Sequence, residues 1–390
     1  MGNHRLAAVR AFGLITVAAA LLAAGCGSSS GGSSASTSNS SPVQIGYYVG
    51  LTGALGESGK FESQGVKLAV SQVNAKGGVL GGRKVDLLEE NDNSDPAQAA
   101  VEARKFVSQG VHLVLGGILD QEVFAVEPIL GRSTLQMVTA AINAEITEKG
   151  LPYVFRVNAS GAVDAQTMIT YLAGAQATFP CTKVFMVYED DSYGTTDADY
   201  YINAWKKSGS PAIVGSATFP YSTTNFGTIL PKIASSSANC IFVNGVPTAI
   251  EAFYQGYHSE KMKQIVYASV SDISQPMVGP SGSGIEGTLS ADVYLASLTN
   301  PLNKAFVSSY TAMYGQAPER QAAIGYSAAQ ILMSAINKAH STSPAAVAKV
   351  LRSQSWNTVL GPISFDSKGN SDLKPFPIQV KNGQIVKVTS

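Results

Sequence analysis

The chain has 390 residues, and its 27 basic and 27 acidic side chains balance to a formal net charge of zero. No basic cluster and no interleaving of aromatic with basic residues occurs, so nucleic acid is not an expected partner. The histidines, His4, His112, His258 and His340, are scattered without ligand spacing to either Cys181 or Cys240, so neither a metal site nor a metal cofactor is expected.

At the amino terminus, Arg5 and Arg10 precede an apolar run from Ala11 to Ala24 that closes on small residues, the order of an export signal. The run is shorter than the about 20 apolar residues of a stable membrane span, so residues 1–25 are expected to be a signal peptide. Leu22-Ala23-Ala24-Gly25-Cys26 resembles the lipobox of bacterial lipoproteins, although Ala23 stands where leucine is usual. The resemblance implies that Cys26 becomes the lipidated first residue of the mature protein; the alternative is an ordinary secretory signal with an incidental cysteine. The Ser/Gly tract that follows has too little apolar content to fold and is expected to serve as a flexible tether over residues 26–42. The working part of the chain then starts near Pro42, outside the cytoplasm and anchored to the membrane through lipid.

The remaining about 350 residues suffice for two domains of about 150 each. Apolar, β-branched runs start near Val43, Val85, Val111 and Leu135, and a second series near Val184, Ala212, Cys240 and Gln264. Between them lie helical patterns. Val66, Ala69, Val70 and Val73 repeat at i, i+3, i+4, i+7, with Gly77-Gly78 as a stop. Pro96 suits the first position of a helix capped by Asp95 and running to Gly110. Short, almost uniformly apolar strands such as 111–115 and 184–188 fit a parallel sheet covered by helices on both faces. The class is therefore α/β, with two doubly wound parallel-sheet lobes. Ligands of such sheets bind at the carboxyl ends of the strands, which places the natural site in the cleft between the lobes. Cys181 and Cys240 sit at the amino-terminal ends of strands expected in one sheet, in a compartment where disulfides persist, and are expected to be bridged rather than free thiols.

No catalytic constellation stands out. Gly27-Ser28-Ser29-Ser30-Gly31 lies in the tether rather than in the strand-turn-helix setting of a nucleophile elbow. Gly77 to Gly82 follows a helix and lacks the Gly-Lys-Ser/Thr of a phosphate loop. The acidic run Glu89 to Asp95 lacks the glycine and terminal glutamate of a calcium loop.

Val49 to Gly53, Val73 to Gly78, Asn93 to Pro96, Ser192-Tyr193-Gly194 and Asn357 to Asp366, in this order, resemble the leucine/isoleucine/valine-binding proteins of ABC importers. The resemblance covers the whole mature chain. It implies the type I periplasmic binding fold, in which the chain crosses three times between lobes, here placed at 43–161 plus 292–375 and at 162–291 plus 376–390. It also implies an extracytoplasmic solute-binding lipoprotein, expected to be monomeric, that captures a small organic molecule by hinge closure and hands it to ABC permease subunits without making or breaking a bond. A ligand-sensing receptor, an α/β enzyme or a purely structural lipoprotein on the same fold are the alternatives.

The strand-end loops carry the expected contacts. Ser58 lies where the family faces the cleft, and Asp120, Gln121, Ala141, Ile142 and Asn143 come from the next loops of lobe one. Lobe two contributes Tyr193, which offers a flat apolar face and a hydroxyl, with Gly245, Val246 and Asp272. Amino-acid binders of this type hold the ligand carboxylate through lobe-one hydroxyls and amides and its ammonium through a lobe-two acid. Here Asp120 falls where the serine should be, Ile142 or Asn143 replaces the threonine, and Val270 lies near the expected acid. Asp120 would repel a ligand carboxylate unless protonated and would suit a cationic, hydroxyl or amide donor, while Ile142, Val246 and Val270 suit an apolar body. An amide, a polyamine-like compound or a hydroxylated aromatic fits this pattern as well as an amino acid does.

Overall fold

The computed structural model describes residues 41–174, 180–270 and 272–388. The expected signal peptide, Cys26 and most of the expected tether, together with Ser271, lie outside the described residues.

The first half alternates strands and helices: β1 (Val43–Val49), α1 (Gly56–Ala75), β2 (Val85–Asn91), α2 (Pro96–Ser108), β3 (Leu113–Gly116), α3 (Asp120–Leu130), β4 (Leu135–Val138), α4 (Glu145–Glu148) and β5 (Val154–Arg156). The five strands form one sheet in the order β2-β1-β3-β4-β5, parallel at every pairing. Helix α2 starts where the sequence places it: Asp95 accepts hydrogen bonds from the N–H groups of Ala97 (2.7 Å) and Gln98 (3.4 Å), and Pro96 occupies the first turn, where its missing N–H costs nothing.

The second half continues with α5 (Gly161–Gly174), β6 (Lys183–Glu189), α6 (Ser192–Ser208), β7 (Ala212–Phe219), α7 (Leu230–Ser235), β8 (Cys240–Asn244), α8 (Pro247–Ser259), β9 (Ile265–Ala268), α9 (Gln275–Ser281) and β10 (Leu289–Asp292). The chain then forms α10 (Pro301–Tyr314), α11 (Arg320–Ala339), α12 (Pro344–Ser353), the ribbon β11 (Ser355–Thr358) and β12 (Gly361–Ser364), and finally β13 (Phe376–Lys381) and β14 (Gln384–Lys387).

The second sheet runs β14-β13-β10-β9-β8-β6-β7. Its inner strands are parallel, but β13 and β14 join antiparallel at one edge. The expectation of a purely parallel second lobe is corrected there. Asn382 and Gly383 both take positive φ (54° and 71°) between the paired residues Lys381 and Gln384, the two-residue turn that asparagine-glycine favours because its twist matches the flanking strands.

Helices α10 to α12 return to the first half. Phe306, Ala322, Leu332 and Leu351 share a core with Ile45, Val66, Leu115 and Met137, so the chain passes three times between the halves, after β5, after β10 and after β12. Helix α1 lies very close to α11, because a Cβ on Gly65 would stand 2.0 Å from the Ala322 carbonyl oxygen. Two further cores fill the second half, one on each face of its sheet. The first includes Phe219, Phe253 and Ile250; the second includes Tyr201, Trp205 and Phe242 with both Cys181 and Cys240.

Cys181 and Cys240 form a disulfide with Cα atoms 5.5 Å apart. They meet because β6 and β8 are neighbours and Val184 faces Cys240 across them. Replacing both with serine is expected to lower stability by about 4 kcal/mol, the loop-closure value for a sequence separation of 59, read as a fall in unfolding midpoint. An unchanged midpoint would show that the bridge adds nothing.

Glu62 of α1 is fully buried, its Oε1 accepting from the hydroxyls of Tyr47 (3.1 Å) and Thr139 (3.0 Å). Burial raises its carboxyl from the ordinary 4.5 to about 8. The folded state therefore holds a proton that the unfolded chain releases above pH 4.5, so stability falls as pH climbs from there towards 8. Glu62→Gln should flatten this dependence and be more stabilising, relative to the parent, at pH 8 than at pH 5, as measured by denaturant titration. A parallel shift of both curves would oppose it.

Candidate functional site

Parallel strands send their carboxyl-terminal loops to one edge of each sheet, and loops from both sheets meet around one chamber of about 80 Å³. From the first half it is lined by Leu55 and Ser58 at the start of α1, by Ile118, Leu119 and Asp120 between β3 and α3, and by Ala140 and Ile142 after β4. The second half contributes Tyr193, the loop 245–247 after β8, and Val270 and Asp272 after β9. Arg320 and Gln321 complete it from the first turn of α11.

Asp120, 2% exposed, opens α3. Its Oδ1 accepts from the backbone N–H groups of Ile142 (2.9 Å) and Asn143 (3.0 Å), while Oδ2 is buried without a hydrogen-bond partner among the described residues. Burial pushes its carboxyl upward, opposed by those two amides and by the Arg156 guanidinium. The loop reaches this position because Gly116 and Gly117, at φ 130° and 96°, pass where a Cβ would meet the Tyr48 carbonyl oxygen at 2.2 Å and the Val123 side chain at 2.5 Å.

On the opposite wall the Tyr193 hydroxyl donates to Asp272 Oδ1 (2.6 Å), and Asp272 Oδ2 accepts the Gly245 N–H (3.0 Å). Both oxygens are thus engaged. Burial, with the nearby Asp197 and Glu189 charges, raises the Asp272 carboxyl well above its ordinary range. Glu189 takes the neighbouring Val246 N–H at 2.7 Å and is raised to about 7 by burial. Asp197, behind the wall, holds Ser269 (2.5 Å) and Asn244 (3.0 Å) and is likewise raised to about 7.

Seven of the expected contacts therefore line the chamber: Ser58, Asp120, Ile142, Tyr193, Gly245, Val246 and Asp272. Three others face elsewhere. Ala141 packs into a small core with Val123, Val138 and Ile146. Asn143 caps the short α4, its Oδ1 accepting the Glu145 N–H (2.9 Å) while its carbonyl takes Arg156 Nη1 (2.6 Å). Gln121 donates to Asp191 Oδ2 across the cleft (3.4 Å), joining the two rims beside the chamber.

Arg320 and Gln321 were not among the expected residues. They follow the second strand-poor stretch of the chain and only the return of α11 over α1 brings them to the cleft; the Ala317-Pro318-Glu319 helix start is the one local signal. Arg320 Nη1 and Gln321 Oε1 are buried without hydrogen-bond partners among the described residues, and Arg320 Nε lies 3.8 Å from Asp292. These two residues, with Ser58 and Pro247, also line a wider outer compartment of about 270 Å³ that contains Phe61, Met277 and Tyr294. Among the described residues no group of three or more His, Cys, Asp or Glu side chains is placed to hold a metal ion, and no helix is long and apolar enough to cross a membrane.

The profile of the periplasmic binding protein family matches residues 42–380. The chain is 25% identical over 349 residues to the Leu/Ile/Val-binding protein of Escherichia coli K12, covering 87% of this chain and 90% of that one. It is 24% identical over 350 residues to the leucine-specific-binding protein of Salmonella typhimurium, with the same coverage of each. Its fold is similar to that of a leucine-binding protein from Thermotoga maritima, with a TM-score of 0.81 at 22% identity over 89% of this chain and 98% of that one. A solute-binding protein of an ABC transporter from Rhodopseudomonas palustris, solved with 3,4-dihydroxybenzoic acid, superposes with a TM-score of 0.80 at 20% identity, covering 90% and 96%. By fold, by strand-end cleft and by a match spanning nearly all of the described residues, the chain belongs to the periplasmic binding protein family, the solute-binding components of ABC importers rather than enzymes.

Proposed function

We propose that the chain captures a small organic solute in the chamber between its two halves and delivers it to ABC permease subunits, the two halves closing around the ligand as a hinge. The observation that carries this is the convergence of loops from both sheets on one chamber whose lining residues include buried polar atoms without a hydrogen-bond partner among the described residues. Buried polar groups are ordinarily satisfied, so such atoms in a concave site are what a ligand would engage. Lobe one comprises 43–161 plus 292–375 and lobe two 162–291 plus 376–390. A ligand touching both lobes stabilises the closed form by its differential affinity for it. Ser58, Asp120, Ile142, Tyr193, Gly245, Val246 and Asp272 are the contacts proposed to touch it.

The solute is an organic compound with an apolar body, from the amino acids, amides, polyamine-like compounds or aromatic compounds. Leu55, Ile142, Val246 and Val270 supply the matching walls. The relatives' names and neighbours' ligands, leucine, isoleucine, valine and dihydroxybenzoic acid, lie within this range. The protein acts as a monomer outside the cytoplasm, held to the membrane by the lipidated Cys26 through the tether of residues 26–42.

A thermal-shift screen of these four compound classes identifies binders, because ligand bound to the folded state raises its stability by mass action. For any compound so found, Tyr193→Ala should weaken binding by about 1–3 kcal/mol in calorimetry, since it removes a wall and leaves Asp272 Oδ1 without its donor. Unaltered affinity would place the ligand elsewhere.

Cys26→Ser should release the protein from the membrane fraction or leave the signal uncleaved. A processed Cys26→Ser protein that still sediments with membranes would remove the lipid anchor from this picture.

A further inference from the structure

We infer that the chamber takes an amphoteric small molecule in a set orientation, with Asp120 receiving its hydrogen-bond donor, an ammonium or hydroxyl, and Arg320 receiving its anionic group. This presupposes that the cleft is the solute site proposed above.

Asp120 cannot act as a neutral bystander. Asp120 lines the chamber; its Oδ1 is held by the Ile142 and Asn143 amides, which fixes the carboxyl group and leaves Oδ2 buried without a hydrogen-bond partner among the described residues. A carboxylate buried without a second partner is costly, and a donor on the ligand supplies that partner. The same geometry removes a place for a ligand anion, because the two amides that could hold one already hold Asp120.

Asp272 does not compete for the donor. Its two oxygens are engaged by the Tyr193 hydroxyl and the Gly245 N–H. That leaves Asp120 as the open acidic acceptor among the lining side chains.

An anionic group needs a cation, and Arg320 is the one basic side chain lining this chamber among the described residues. Its Nη1 is buried and has no hydrogen-bond partner among the described residues, and its contact with Asp292 is long, 3.8 Å from Nε. Arginine is suited to this task because its planar fork takes a carboxylate through paired N–H groups and remains charged. Asp120 by itself would repel a ligand carboxylate unless protonated; Arg320 places an opposite charge in the same chamber. Because Arg320 also lines the outer compartment, the anionic group sits where the two compartments join, and a larger body can extend outward from there.

The test is calorimetry on the full-length chain with matched probes. Leucine and 4-hydroxybenzoate carry both groups, 4-methylpentanoate and benzoate only the anion, and 3-methylbutylamine only the donor; spermidine and acetamide serve as ligands of other classes. The expected result is that at least one amphoteric probe binds, that its single-group counterparts bind at least about tenfold more weakly, and that Asp120→Asn and Arg320→Gln each weaken it by about tenfold or more, with Arg320→Lys recovering part of the loss. Asp120→Asn should not weaken an anion-only probe, which distinguishes loss of the donor contact from general damage to the site. If a variant does not fold, as judged by its unfolding transition, the probe series on the unaltered protein decides. An anion-only probe binding as tightly as its amphoteric partner, or an amphoteric probe indifferent to Asp120→Asn, overturns the inference. Binding of spermidine or acetamide with no amphoteric probe bound overturns it while leaving the cleft a solute site, and silence of every probe counts against both.

Discussion

Carboxylates that accept backbone N–H groups hold the strand-end loops in place on both sides of the cleft. Asp120 joins the β3–α3 loop to the loop after β4, Asp272 joins the loops after β8 and β9, and Glu189 reaches from β6 to Val246. Each bond satisfies an amide that has left its strand ladder and would otherwise be buried without a partner. Each also desolvates a carboxyl group, and burial outweighs the stabilising amides, so all three are shifted towards the protonated form. The cleft is thus a place where the fold accepts an electrostatic cost to keep loops in register.

That cost is tolerated because the cores around it are extensive. Helices α1 and α11 pack with almost no space between them at Gly65, and the three passages of chain between the halves weave α10 to α12 into the core of the first sheet. A sheet covered in this way keeps its strand ends fixed relative to one another, while loops at those ends are left to differ between members of the same fold. In the second half the disulfide is placed at the opposite, amino-terminal end of β6 and β8, so it braces the sheet without touching the chamber.

The two walls of the chamber are chemically unlike. The lining side chains of the second half are already paired, Tyr193 with Asp272 and the Gly245 N–H with the same carboxyl group, while Glu189 Oε2 and Asp197 Oδ1 beside and behind them lack partners among the described residues. The wall formed by the first half and α11 carries the unpaired atoms, Asp120 Oδ2, Arg320 Nη1 and Gln321 Oε1. Polar recognition therefore concentrates on one half, and the other presents a preorganised surface on which a ligand can rest. Direct contacts join the rims at Gln121 with Asp191 (3.4 Å) and at the Ala144 N–H with the Tyr200 hydroxyl (3.2 Å).

Much of this was legible in the amino-acid sequence. The apolar runs with their spacing, the Asp95-Pro96 helix start and the capping patterns specify local structure, and strand-end loops in a parallel sheet must lie on one edge; with the family resemblance, which implies Ser58 at the cleft, they point to Ser58, Asp120, Ile142, Tyr193, Gly245, Val246 and Asp272. Side-chain direction within a loop could not, because a turn lacks the fixed period that tells which residue of a strand or helix faces inward; Ala141 and Asn143 differ from Ile142 only in orientation. Nor could the antiparallel edge strands β13 and β14 be anticipated from the βα alternation that precedes them. Arg320 and Gln321 lie far along the chain from the other lining residues of the first half, and their presence in the chamber depends on α11 crossing α1, a packing event between distant segments. Sequence alone settled the α/β class and which loops meet, since both follow from local periodicity; tertiary packing decided which atoms of those loops are left unpaired, because satisfaction of a buried polar group depends on every neighbour the fold brings to it.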